Sequence, residues 1–178
     1  MQNIVFTFVG DDKAGLVERI AQIVARHEGN WLESRLSQMA GKFAGIVSVA
    51  IAEKQADALL EALASLADTG LSVVAERSHT GGNTASHSAE LQILGNDRPG
   101  IVHEISAALA AMQINIVELS SEVQSAPMAG IPLFVASITI DRPPEEELAR
   151  LRDKLEQAAN RLDIDISLQL SPGSETTA

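Results

Sequence analysis

The same stretch occurs twice in this chain. From Phe6 to Ile20 and again from Leu91 to Ile105, the residues Gly10, Asp12, Gly15, Val17 and Ile20 match Gly95, Asp97, Gly100, Val102 and Ile105 at a constant offset of 85. The register continues without a gap through Ala25 and Ala110, Asn30 and Asn115, and Glu33 and Glu118. A gapless register over roughly 30 residues marks an internal duplication. The 178 residues therefore divide into two copies of one small fold rather than forming a single larger core. The expected boundaries are a first domain over 1–77, a linker over 78–87, a second domain over 88–171 and a disordered tail over 172–178. The linker assignment rests on the small, polar, unpatterned run from His79 to His87.

Each copy reads as strand, helix, strand, strand, helix, strand. Ile4 to Val9 is apolar at nearly every position and predicts a strand buried on both sides. Leu16, Ile20, Ile23 and Val24 recur at helical spacing, and Gly29 closes that helix. Strands are expected over Trp31–Met39, with Trp31, Glu33, Arg35, Ser37 and Met39 on one face, and over Phe43–Ile51. Leu59, Leu60, Leu63 and Leu66 stripe a second helix that stops near Gly70, and Leu71–Glu76 is the fourth strand. In the second copy the strands fall at Glu90–Gly95, Asn115–Gln124, Leu133–Ile140 and Ile164–Leu170. Its helices are striped by Ile101, Ile105, Leu109 and Met112 and by Leu148, Leu151, Leu155 and Leu162. This order is the split βαβ, ferredoxin-like arrangement, an α+β fold with an antiparallel sheet and both helices on one face. The open face of such a sheet must be polar or covered by something else.

Composition removes several classes of function. The formal net charge is −11, with 7 basic and 10 acidic residues in 1–89 and 6 basic and 14 acidic in 90–178. Neither half offers the Lys/Arg surface that phosphate contacts need, so no direct nucleic-acid binding is expected. There is no cysteine, which excludes disulfides and thiolate chemistry and agrees with a cytoplasmic protein. The start Met1-Gln2-Asn3-Ile4 lacks a basic segment and runs into a strand, and no apolar run approaches a membrane span, so neither a signal peptide nor a membrane location is expected. His103-Glu104 opens like a zinc-peptidase helix, but position 107 is Ala107, and the linker histidines His79 and His87 make a poor ligand pair. No metal and no cofactor are expected.

The repeated turn carries the chemistry. Asp12 and Asp97 are N-cap candidates, and Pro99 suits a first helical turn. Gly15 and Gly100 would permit close approach of a backbone or a ligand. A helix start of this kind presents unpaired N–H donors with a helix dipole behind them, which suits a carboxylate. Asn30 and Asn115 begin strands, where asparagine is depleted, and their amides could serve either end of a zwitterion.

Strand, Gly-x-Asp-x-x-Gly, amphipathic helix and then Asn, inside a βαββαβ unit, resembles the ACT domain, a small-molecule-binding regulatory module. Two in tandem are similar to the glycine cleavage system repressors and their relatives. The resemblance covers nearly the whole chain, with Asn96 to Ile105 as its closest local match and Ala14 departing from it where proline is frequent. It implies side-by-side pairing of units into a continuous sheet and a homo-oligomer. It implies an amino-acid ligand, glycine or serine first, held between the strand–helix loop of one unit and the second-strand start of a neighbour. The implied ligand-binding residues are Asp12, Ala14, Gly15, Leu16 and Asn30 in the first copy, and Asn96, Asp97, Pro99, Gly100, Ile101 and Asn115 in the second. It also implies regulation through a DNA-binding activator protein, without catalysis. Two alternatives share the topology. An acylphosphatase-like enzyme would need a cationic phosphate cradle, which Gly10-Asp11-Asp12-Lys13 does not supply. A scaffold without ligand would keep the fold and lose the site.

Overall fold

The structure, a computed structural model, describes residues 1–78, 88–125 and 131–170. The expected linker beyond Ser78 and the expected tail fall outside those residues. The chain divides into two compact units, Met1–Gly82 and Asn83–Ala178, each built the same way.

The first unit runs β1 (Gln2–Asp11), α1 (Leu16–Arg26), β2 (Asn30–Met39), β3 (Lys42–Ile51), α2 (Glu53–Ala64) and β4 (Leu71–Ser78). A 3-10 turn over Ser65–Thr69 extends α2 to Gly70, whose φ of 83° ends it. The second unit runs β5 (Ser88–Asn96), α3 (Ile101–Ala110), β6 (Ile116–Ser125), β7 (Pro132–Asp141), α4 (Leu148–Leu162) and β8 (Ile164–Leu170). The sheets have the orders β2-β3-β1-β4 and β6-β7-β5-β8, with every pairing antiparallel. This is the α+β architecture that the pattern predicts.

Alternation along the central strands decides where the core lies. Ile4, Phe6 and Phe8 of β1 and Val47, Val49 and Ile51 of β3 point to one face. There they form one apolar cluster with Leu16, Ile20 and Val24 of α1 and Ala56, Leu59 and Leu63 of α2. The second unit repeats this with Leu91, Ile93, Ile138, Ile105, Leu109 and Leu151. Phe6 meets Trp31 edge-on, with ring centroids 6.4 Å apart, and Phe8 lies against Phe43 at 5.9 Å. β1 is not buried on both sides, however. Val9 is 46% exposed and Thr7 is open, so only the helix-covered face is packed. Consecutive apolar residues signalled two-sided burial, but the unit is only two layers thick.

The strand after α1 also departs from simple alternation. Pairing shifts by one residue between Trp31 and Glu33, and Leu32 is the extra residue. A bulge of this kind turns the following side chains over. Trp31 therefore sits opposite Val49 on the core side, while Glu33 and Arg35 sit opposite Ser48 and Ile46 on the open side. The expectation that Trp31 shares a face with Glu33 and Arg35 is corrected accordingly. β6 repeats the shift between Ile116 and Glu118, with Val117 extra. The bulge is thus part of the duplicated design.

Candidate functional site

The two glycines of each Gly-x-Asp-x-x-Gly turn have different jobs. A Cβ on Gly95 would lie 2.7 Å from Ile164 Cβ and 3.0 Å from Ile164 Cα, so this position lets β5 and β8 close up. Gly10 plays the same part more loosely, with Leu71 Cδ1 at 2.7 Å and Gly70 O at 3.3 Å. Gly15 and Gly100 instead adopt φ of 89° and 99°, a backbone conformation that side chains disfavour. Among the described residues nothing lies within 4 Å of where their Cβ would be. They are needed for their conformation, and no described residue fills the space beside them.

These glycines, not the aspartates, are the N-caps. The Arg19 N–H donates to Gly15 O and the Glu104 N–H to Gly100 O, each at 3.0 Å. No side chain caps α1 or α3. The expectation that Asp12 and Asp97 cap, and that Pro99 sits in the first turn, is corrected: each helix begins at the residue after the glycine, four residues past the aspartate. The reason lies in the backbone of the aspartates. Asp12 N–H donates to Gly41 O and Asp97 N–H to Pro132 O, both at 2.9 Å, which prolongs the strand ladder into the turn and holds back the helix. Both carboxylates are consequently exposed and uncommitted among the described residues.

Each loop thus presents, among the described residues, a helix start without a side-chain cap, an exposed glycine and an aspartate with no partner. Ala14 and Pro99 are exposed, while Leu16 and Ile101 are 9% and 2% exposed. The side chains of Leu16 and Ile101 belong to the core, so what these two positions offer the loop is backbone N–H. Arg98 adds a group that sequence reading passed over. It is half-buried, and its Nε is buried without a hydrogen-bond partner among the described residues. Its position two residues before Gly100, matched by Lys13 before Gly15, was the available signal. The first loop also holds an ion pair, Lys42 Nζ to Asp11 Oδ1 at 2.6 Å. The hydrogen bond and charge of Lys42, helped by the charge of Lys13, hold the Asp11 carboxyl below its ordinary value. Asn96, which replaces Asp11, pairs with Leu133 and borders an open depression of about 490 Å³ lined by Leu94, Leu133, Ala159 and Asn160.

The asparagines lie elsewhere in each unit. Asn30 begins β2 and pairs with Ala50, which pairs with Asn3 at the start of β1, whereas the loop follows Asp11 at its end. Eight residues of strand separate those two rungs, about 27 Å. Asn115 stands one residue before β6, rather than within it, and its carbonyl accepts from Asp141 N–H at 3.0 Å. Asp141 in turn pairs with Ser88, again at the far end from the turn. No single unit brings loop and asparagine together. β2 and β6 are both edge strands, with the backbone groups of one side unpaired within their units.

Two βαββαβ units, each with a glycine at the N-cap of its first helix, define a class of small tandem ferredoxin-like α+β proteins. The matches with known proteins make this specific. Residues 2–75 and 89–159 each match a model of the ACT domain, and the chain belongs to the ACT-domain family. A protein of Methanopyrus kandleri named UPF0237 protein MK1213 is 32% identical over 82 residues, 46% of this chain and 84% of that one. The crystal structure of an unknown protein from Galdieria sulphuraria superposes with a TM-score of 0.81 at 28% identity, covering 96% of this chain and 99% of that one. The crystal structure of a candidate glycine cleavage system transcriptional repressor superposes with a TM-score of 0.72 at 20% identity, covering 96% and 97%. That second likeness establishes a shared tandem fold.

Proposed function

We propose that this protein is a non-catalytic sensor of a small amino acid, acting as a regulator of glycine or one-carbon metabolism through a protein partner. The observation that carries this reading is the helix start, uncapped and open in both units at matched positions. An amino-acid carboxylate would accept from the free N–H groups of the α1 or α3 first turn, where the helix dipole favours a negative charge. Arg98 would add a cationic donor in the second loop. The exposed Asp12 or Asp97 carboxylate would hold the ammonium. Asn30 or Asn115 would close the site from a neighbouring unit, because within one unit it lies at the far end of the sheet. The exposed edges β2 and β6 support such side-by-side pairing, and through it a homo-oligomer.

The match to a candidate repressor of the glycine cleavage system supports glycine or serine as the first ligands to try. The net charge of −11 argues against DNA itself as the partner, and the likeness to glycine cleavage system repressors suggests a DNA-binding activator protein in its place. A cytoplasmic location agrees with the absence of cysteine and of any helix, among the described residues, long and apolar enough to cross a membrane. The test is a thermal-shift panel of the twenty amino acids on the full chain. Binding to the folded state raises the melting temperature with the logarithm of ligand concentration above the dissociation constant, so glycine or serine should raise it in that way and Asn115→Ala should reduce the response while leaving the unliganded melt unchanged. A flat response across the panel would favour a ligand-free scaffold.

A further inference from the structure

The open faces of the two sheets differ, and the repeat itself serves as the control. Across the middle of the first sheet run Val74, Thr7 and Ile46 in register, with Val5 in the adjacent row. The second unit has Ser167, Gln92 and Ser137 in register, with Glu90 at the position of Val5. Those second-unit side chains bond to one another: Ser137 Oγ donates to Glu90 Oε1 at 2.8 Å, and Gln92 Nε2 donates to Ser137 Oγ at 3.3 Å and also to Glu90. At the centre of the open face, one fold is thus built once with hydrogen-bonded polar side chains and once with apolar ones around Thr7. Ile46 and Val74 are 46% and 61% exposed, and shallow grooves of about 310 and 520 Å³ flank Val5, whereas Val9 is matched in the second unit by an equally exposed Leu94 and does not distinguish the two faces. The fold itself does not require apolar residues at Ile46, Val74 and Val5, since its copy carries Ser137, Ser167 and Glu90 in their places.

We infer that the open sheet face of the first unit, centred on Ile46, Val74 and Val5, is a docking surface for the same face of a second copy of this chain. Charge favours a like partner. Although the chain carries −11, the face carries Glu33 beside Arg35 at 3.1 Å, Asp11 beside Lys42 at 2.6 Å and Glu76. With two cations against three carboxylates, two copies meet without strong repulsion. Extent favours it too. Four strands at their normal spacing, about 27 Å long, present about 500 Å² per copy, so a pair buries about 1,000 Å², the size at which specific interfaces begin. Two antiparallel sheets stack face to face in this manner about 10 Å apart. This surface is separate from the helix starts and edge strands invoked for amino-acid sensing, and does not rest on that reading.

The test is sedimentation equilibrium of the full chain over a wide concentration range. The wild type should double its mass reversibly as concentration rises. Ile46→Glu and Val74→Glu should each weaken this association roughly 100-fold or more, because the new carboxylate is desolvated without a partner. Ser167→Glu, at the matching place on the second unit, should leave the association unchanged. Far-UV circular dichroism and Trp31 fluorescence check that each variant is folded, and an amino-acid thermal shift retained in a variant that has lost this association separates the face from ligand sensing. A wild type whose mass does not double reversibly at any concentration overturns the inference, as does a doubling that survives both first-unit substitutions.

Discussion

Replacing Gly15 by alanine isolates one contribution to the helix start. The residue holds φ 89° and ψ 0°, and nothing stands within 4 Å of the added methyl group. The cost is therefore conformational and not steric, about 1–2 kcal/mol for a side chain held on the left-handed side. The first unit contains the single tryptophan, Trp31, which packs against Phe6 in its core. Its fluorescence reports the unfolding of that unit even if the two units melt separately. With a urea slope of about 1 kcal/mol/M for a domain of this size, the midpoint should fall by about 1–2 M. Gly15→Asn should recover part of the loss, because asparagine tolerates this conformation better than alanine. A Gly15→Ala midpoint within about 0.2 M of wild type, below the shift that even about 1 kcal/mol implies, would refute the conformational account. Equal losses for alanine and asparagine would point to a steric requirement that the open space does not contain.

Three further outcomes follow from named contacts. Gly95→Ala should destabilise the second unit by about 1–3 kcal/mol, since its methyl meets the Cβ and Cα of Ile164. Gly10→Ala should cost less, because the nearest atom is the mobile end of Leu71; urea melts followed by circular dichroism compare the two. Ile105→Ala, at a fully buried position, should cost about 2–5 kcal/mol in the same melts. Lys42→Met should raise the Asp11 carboxyl toward its ordinary value, read by NMR titration. Because the folded-state value is the lower one, this pair stabilises the protein at neutral pH and loses that effect as pH falls through the Asp11 titration; an unchanged titration in the variant would remove Lys42 as the cause.

The fold was legible because the duplication reported each element twice and the apolar periods of 2 and 3.6 agreed within each copy. The position of the helix start was not. Aspartate is a strong N-cap in general, and only the ladder bonds from Asp12 to Gly41 and from Asp97 to Pro132 show that the strand continues past it. The glycine at a fixed place before Leu16 and Ile101 was the better indicator. The bulges left a faint trace in the adjacent apolar pairs Trp31-Leu32 and Ile116-Val117, which break alternation at matched positions. The separation of loop and asparagine could not be read from a local motif at all, since it follows from β2 running parallel to β1 two places away in the sheet. The difference between the open faces was present in Val5, Thr7 and Ile46 against Glu90, Gln92 and Ser137, and became readable once pairing showed that these residues share a face.

Calorimetric titration of the full chain with glycine and with serine tests the sensing account most directly, alongside a variant carrying Asn30→Ala and Asn115→Ala together. The account predicts saturable heat for one of the two amino acids in the wild type and its loss in a double variant that remains folded. No heat for either, or the same affinity in the double variant, would contradict it.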